Sequence, residues 1–147
     1  MTPETVQSWL GAYIEAWRSY DTDAIADLFA EDAAYAYHPW DEPIRGRDAI
    51  VTSWLLDRDE PNSWSADYRP FVVSGNRAVA VGETRYADGK VFVNAWQLIF
   101  DQDARCSEFV EWYMTPPVDL EPPRHSLRAH PSTTQGVAKG IGVRDSD

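Results

Sequence analysis

An α+β domain is the fold class this sequence predicts, and three observations carry the prediction. An amphipathic helical stretch opens the chain. Two shorter helical stretches follow before Pro61. Beyond Pro61 the apolar residues change to a period of two through four segments joined by short turns. Helices first, then a run of antiparallel strands, is the order in which helices pack on one face of a sheet.

The first helix is expected over residues 3–20, where Val6, Trp9, Leu10, Tyr13, Ile14 and Trp17 recur at steps of three and four. Thr2 can cap it, Pro3 suits its first turn, and Glu4 favours the positive end of its dipole. A second helix runs from about Thr22 to Ala30, capped by Asp21 or Thr22, with Ile25, Leu28 and Phe29 on one side. "AAYAYHPW" reads as a strand that Pro39 stops, since proline removes a ladder donor and biases His38 towards extended backbone. "DEPIRG" is a turn, and residues 47–58 form a third helix with Ile50, Trp54 and Leu55 inward.

Four strands follow at about 64–74, 77–87, 91–100 and 105–114. "SGNR" and "ADGK" are hairpin turns between them, and "FDQDARC" makes a longer one. From Thr115 the composition shifts, with half of the ten prolines at 116, 117, 122, 123 and 131. Residues 1–114 therefore form the domain, and 115–147 are expected to be a tail, flexible or docked on the surface.

A chain of 147 residues with 44% hydrophobic and 13% aromatic content is large enough to bury one real core. Seven tryptophans and seven tyrosines suit both a core and an apolar pocket with polar handles at its rim. The net charge of −11 lies within the first 114 residues, because the remainder carries as many bases as acids. So acidic a body repels phosphate backbones and anionic lipid, which argues against nucleic-acid and membrane partners. A small neutral or cationic ligand is compatible with it.

Cys106 stands alone, so no intramolecular disulfide forms, and it reads as a strand filler. "MTPETVQSWL" has no basic region before an apolar run, and no stretch approaches about 18 apolar residues. A cytoplasmic protein is expected. P-loop, dinucleotide-binding and Ser–His–Asp signatures are missing. His38 with Asp41 is too small a set for a metal, and His125 and His130 read as surface groups, so neither a metal nor a cofactor is expected.

The order of elements, with a strand between the second and third helices, resembles the nuclear transport factor 2-like fold. Residues 16–54, "AWRSYDTDAIADLFAEDAAYAYHPWDEPIRGRDAIVTSW", resemble its SnoaL-like branch, with the D-x-D start of helix two, L-F-x-x-D-A, a proline and G-x-x-A-I. "FVEWYMTP" is similar to the family's closing strand. The resemblance covers residues 3–114 and implies a cone, in which a strongly curved, mainly antiparallel sheet wraps the first helix around a pocket. It also implies a homodimer packed through the sheets. Members include ketosteroid isomerase, limonene epoxide hydrolase, polyketide cyclases and binders without a reaction.

By resemblance to ketosteroid isomerase, Tyr13 matches the oxyanion-hole tyrosine, while His38, just before Pro39, stands where the aspartate base lies. Trp96 stands where the second aspartate lies, so the aspartate pair is absent. Histidine, with a pKa of about 6.5, moves protons near neutrality. Tyr13 and Trp96 can donate to a developing oxyanion. Asp41 or Glu42 can orient the imidazole. Equally, His38 can be a strand-end histidine bonded to a nearby acid.

Alternation puts Phe109, Glu111 and Tyr113 on one face, with Val110, Trp112 and Met114 on the other. Glu111 resembles the final-strand acid of limonene epoxide hydrolase, whereas Glu83 and Arg85 read as an ion pair on the sheet. Trp9, Trp17, Phe29 and Trp54 are spaced as core. Tyr35, Tyr37, Trp40, Asn94, Trp96, Trp112 and Tyr113 are candidates to line a cavity, in which Trp96 can approach His38.

The expected function is cofactor-independent acid–base chemistry on a small apolar molecule by His38, Tyr13 and Glu111, of isomerase, cyclase or hydrolase type. The alternatives are a non-catalytic binder of a hydrophobic metabolite and a protein whose interior is filled and whose surface does the work.

Overall fold

The computed structural model describes residues 1–117. Helix α1 spans Pro3–Ser19, α2 Thr22–Ala26 and α3 Arg47–Leu56; the strands are β1 Phe29–Ala36, β2 Ile44–Arg45, β3 Trp64–Ser74, β4 Arg77–Tyr86, β5 Val91–Phe100 and β6 Cys106–Met114. Thr2 caps α1 in a box with Thr5, and Tyr20 closes it in the left-handed conformation at φ 52°. The tail from 118 onward, with His125 and His130, lies outside the described residues.

Two expected boundaries move. Helix α2 stops at Ala26, and Phe29 opens β1 instead of continuing a helix. The reason is tertiary: Leu28 O accepts from Cys106 N at 2.8 Å, and Phe29 aligns with Cys106. Long-range pairing overrides a helical pattern only a few residues long. "DEPIRG" holds a two-residue strand, β2, because Ile44 and Arg45 pair antiparallel with Tyr35 and Ala34.

The strands form one curved sheet in the order β2-β1-β6-β5-β4-β3. Only β1 with β6 is parallel; the other neighbours are antiparallel. On the inner face β4 presents Ala78, Ala80 and Gly82, small groups that leave room for large rings from β3 and β5. A Cβ on Gly82 would stand 2.0 Å from Asp67 O and 2.6 Å from the Tyr68 ring. Glycine is therefore what lets Tyr68 lie down and stack on Trp96, with centroids 3.9 Å apart.

Helix α1 lies in the concavity. Its Tyr13 ring packs on Trp54, Trp96 and Phe109, and Trp9 meets Phe29 and Phe100. The core thus joins one helical stripe to one sheet face. The outer face carries exposed Phe71, Val72, Val93, Trp112 and Met114. No helix among the described residues is long and apolar enough to cross a membrane.

Candidate functional site

Two groups of polar side chains stand out, one inside the cone and one at the end of β1. The interior group begins with strand register. Tyr68, Gly82, Asn94 and Tyr113 align across β3, β4, β5 and β6, and one step deeper Trp96 aligns with Glu111. Residues two apart on a strand share a face, so Asn94, Trp96, Glu111 and Tyr113 make one inner block. Helix α1 supplies Tyr13, whose hydroxyl lies 2.8 Å from that of Tyr35 on β1.

Tyr13, Tyr35, Trp96, Asn94 and Glu111 are all buried. Asn94 Nδ2 donates to the Tyr68 hydroxyl at 2.7 Å, which is 2.8 Å from Thr84 Oγ1. Burial pushes the Tyr13, Tyr35 and Tyr68 hydroxyls well above the ordinary 10.0, and the Glu111 carboxylate nearby pushes each further up. These tyrosines stay protonated near neutrality and act as hydrogen-bond donors rather than bases. The Tyr37 hydroxyl bonds Ser53 Oγ on α3.

The second group surrounds His38. The β1 strand ends at Ala36, and a turn closed by Asp41 N to His38 O returns the chain. His38 Nδ1 lies 2.8 Å from Asp41 Oδ2, and 17% of its side chain is exposed. Donation to that carboxylate leaves Nε2 as the open ring nitrogen. Its ring stacks on Trp40 at 4.9 Å and approaches Tyr113 at 5.5 Å, while Trp40 itself is 77% exposed.

The residues singled out from sequence thus separate by depth. Tyr13, Trp96, Asn94 and Glu111 come together inside. His38, Trp40 and Tyr113 come together beyond the end of β1, and Tyr37 reaches the interior group through its ring contact with Tyr35. Trp96 packs on Tyr13, Tyr68 and Phe109 rather than beside His38. Trp112 faces the opposite side, half exposed, with Nε1 donating to Gln97 Oε1. It cannot line the interior, because strand alternation turns it away from Glu111.

Sequence reasoning missed Tyr68 and Thr84. Their signal was parity: each aligns across the sheet with a residue of the inner face, Tyr68 with Gly82 and Thr84 with Phe92. Glu83 and Arg85 form the surface pair that alternation suggests, at 2.6 Å. Burial pushes the Cys106 thiol up, so it is poor as a nucleophile. No cluster of three or more metal-ligating side chains occurs among the described residues.

The family model for the SnoaL-like domain matches residues 10–112, and the chain belongs to that family. No curated protein matches it in sequence. Solved structures are similar in fold. An NTF2-like protein of unknown function from Burkholderia xenovorans LB400 superposes with TM-score 0.64 at 20% identity, covering 82% of this chain and 89% of its own. An NTF2-like protein of unknown function from Mesorhizobium loti gives 0.58 at 22% identity, covering 76% and 93%. A candidate ketosteroid isomerase from Kribbella flavida gives 0.60 at 21% identity, covering 88% and 93%.

Proposed function

We propose that this member of the SnoaL-like family is a cofactor-independent enzyme that moves a proton on a small, flat, apolar substrate bearing a carbonyl or epoxide oxygen. One observation carries the reading: a wholly buried carboxyl, Glu111, lies among tyrosine hydroxyls inside an otherwise aromatic cone. Burying such a group without a task is costly, and a packed apolar residue would stabilise the core at least as well.

In this reading Tyr13 donates to the substrate oxygen. The Glu111 carboxylate nearby keeps the Tyr13 hydroxyl protonated, and so able to donate. His38 at the mouth, with Nδ1 held by Asp41, takes and returns the proton through Nε2. Tyr37, Tyr113 and Trp40 guide the apolar body of the substrate past the rim. Tyr13, Trp96 and Glu111 are closed to water here, so rings part to admit a ligand.

The test is α-proton exchange of 1-tetralone in D2O followed by NMR. Exchange above the buffer rate is expected, falling about 10²-fold or more in Tyr13→Phe and in His38→Ala. Binding without exchange makes the protein a carrier of an apolar metabolite. Neither binding nor exchange removes the pocket reading.

The outer face supports a homodimer packed sheet to sheet. Val72, Val81, Ala95, Trp112 and Met114 form an apolar stripe there, with Arg69, Asp67 and Glu83 along its border. Trp112→Asp is expected to shift the mass in light scattering from dimer to monomer, and a wild-type monomer removes this proposal. The lone buried thiol of Cys106 suits a reducing, cytoplasmic compartment.

A further inference from the structure

Two polar atoms of the inner block are buried without a hydrogen-bond partner: the acceptor Asn94 Oδ1 and the donor Trp96 Nε1. They belong to neighbouring inner-face positions of β5, and both side chains are closed to water. Their orientations are not accidental. Asn94 spends Nδ2 on the Tyr68 hydroxyl at 2.7 Å, which presents Oδ1 to the other side. Tyr68 is itself fixed by Thr84, by its stack on Trp96, and by the space that Gly82 leaves. The Trp96 ring is held between Tyr68 and Tyr13, so its N–H cannot turn away.

An unmet buried donor or acceptor costs about 1–3 kcal/mol, and β5 carries one of each at successive inner-face positions. A hydroxyl is the smallest group that answers both, since its oxygen accepts while its proton donates. A carbonyl answers only the indole, and an ether only the indole as well.

We propose that Asn94 and Trp96 form a hydroxyl-reading subsite, and that the substrate class is a flat hydroxy-ketone. It presents its carbonyl to Tyr13 and its hydroxyl to the β5 pair. The proposal rests on the pocket reading above, and adds to it what the far end of the ligand must carry. Asn94 is a specificity residue, not a catalytic one, and Gly82 and Thr84 position it through Tyr68.

The test compares 6-hydroxy-1-tetralone with 6-methoxy-1-tetralone by calorimetry on the full chain. The wild type is expected to bind the hydroxy compound at least about tenfold more tightly, the size of one well-made buried hydrogen bond. That preference is expected to fall below about threefold in Asn94→Leu and in Trp96→Phe. The indole N–H resonance missing from the Trp96→Phe spectrum identifies Trp96, and it is expected to move downfield with the hydroxy compound and not with the methoxy compound. Should either variant fail to fold, the wild-type ligand pair still decides. Equal affinities for the two tetralones in the wild type overturn the hydroxyl subsite and leave the pocket standing. Failure of every tetralone to bind at millimolar concentration overturns the subsite and the pocket together.

Discussion

The interior of the cone and its mouth each hold a group able to handle protons, and water access separates them. Glu111 lies beside Tyr13, Tyr35 and Tyr68 with no surface exposed, and its charge is felt by all three hydroxyls. His38 keeps a partly exposed ring, one carboxylate partner and an exposed tryptophan against its face. In a dry, low-dielectric interior a small displacement of charge is expensive, so that region suits holding an oxygen in place. At the mouth the His38 ring is partly open to solvent. The difference teaches that residue type alone does not assign a role: the same carboxyl would be a solvated acid on the opposite face of β6.

The sharpest way to break this contrast is to remove the ring stacked on both Tyr13 and Tyr35. Phe109 stacks on Tyr13 at 5.5 Å and on Tyr35 at 4.4 Å. Phe109→Ala is expected to cost about 3–5 kcal/mol in urea unfolding, because the cavity opens between two rings that cannot collapse together. A loss under about 1 kcal/mol would mean that the interior is loosely packed and the contrast in water access is false.

Alkaline titration sharpens it next. Tyr13, Tyr35 and Tyr68 are raised above the ordinary 10.0 in the folded state. The unfolded chain releases those protons from about pH 10 and the folded chain does not. Unfolding is therefore favoured as pH rises, and stability present below pH 10 is lost above it. Absorbance at 295 nm should show these tyrosines ionising only with loss of the folded circular-dichroism signal. Smooth ionisation of all seven in the folded protein would place water inside the cone.

The smallest effect belongs to the mouth. Trp40→Ala removes a ring that is 77% exposed, and its expected change in melting stability lies within about 0.5 kcal/mol. A much larger loss would mean that Trp40 is covered in solution and belongs with the interior.

The four long strands were legible because alternation of side chains along β3 to β6 is a local property, and their ends fall within a residue of expectation. The amphipathic stripe of α1 was legible for the same reason. The end of α2 was not, since Leu28 and Phe29 suit a helix until Cys106 pairs with them from the far end of the chain. At the site, Tyr13, Trp96 and Glu111 were visible as types at suitable spacings, but Trp112 was placed among them although alternation turns it outward. Tyr68 and Thr84 went unseen, as neither has chemistry that marks it apart from its network with Asn94.

What the sequence by itself determined is the set of periodicities: which residues share a face of α1 and of each strand, and that a mainly antiparallel sheet follows three helices. Those follow from backbone geometry that every residue imposes on its neighbours. Only the tertiary structure decided which sheet face is inside. Register brings Trp96 opposite Glu111, and Gly82 clears the space for Tyr68. Both depend on contacts between residues distant in the chain, where packing of whole side chains, and not local preference, sets the lowest free energy.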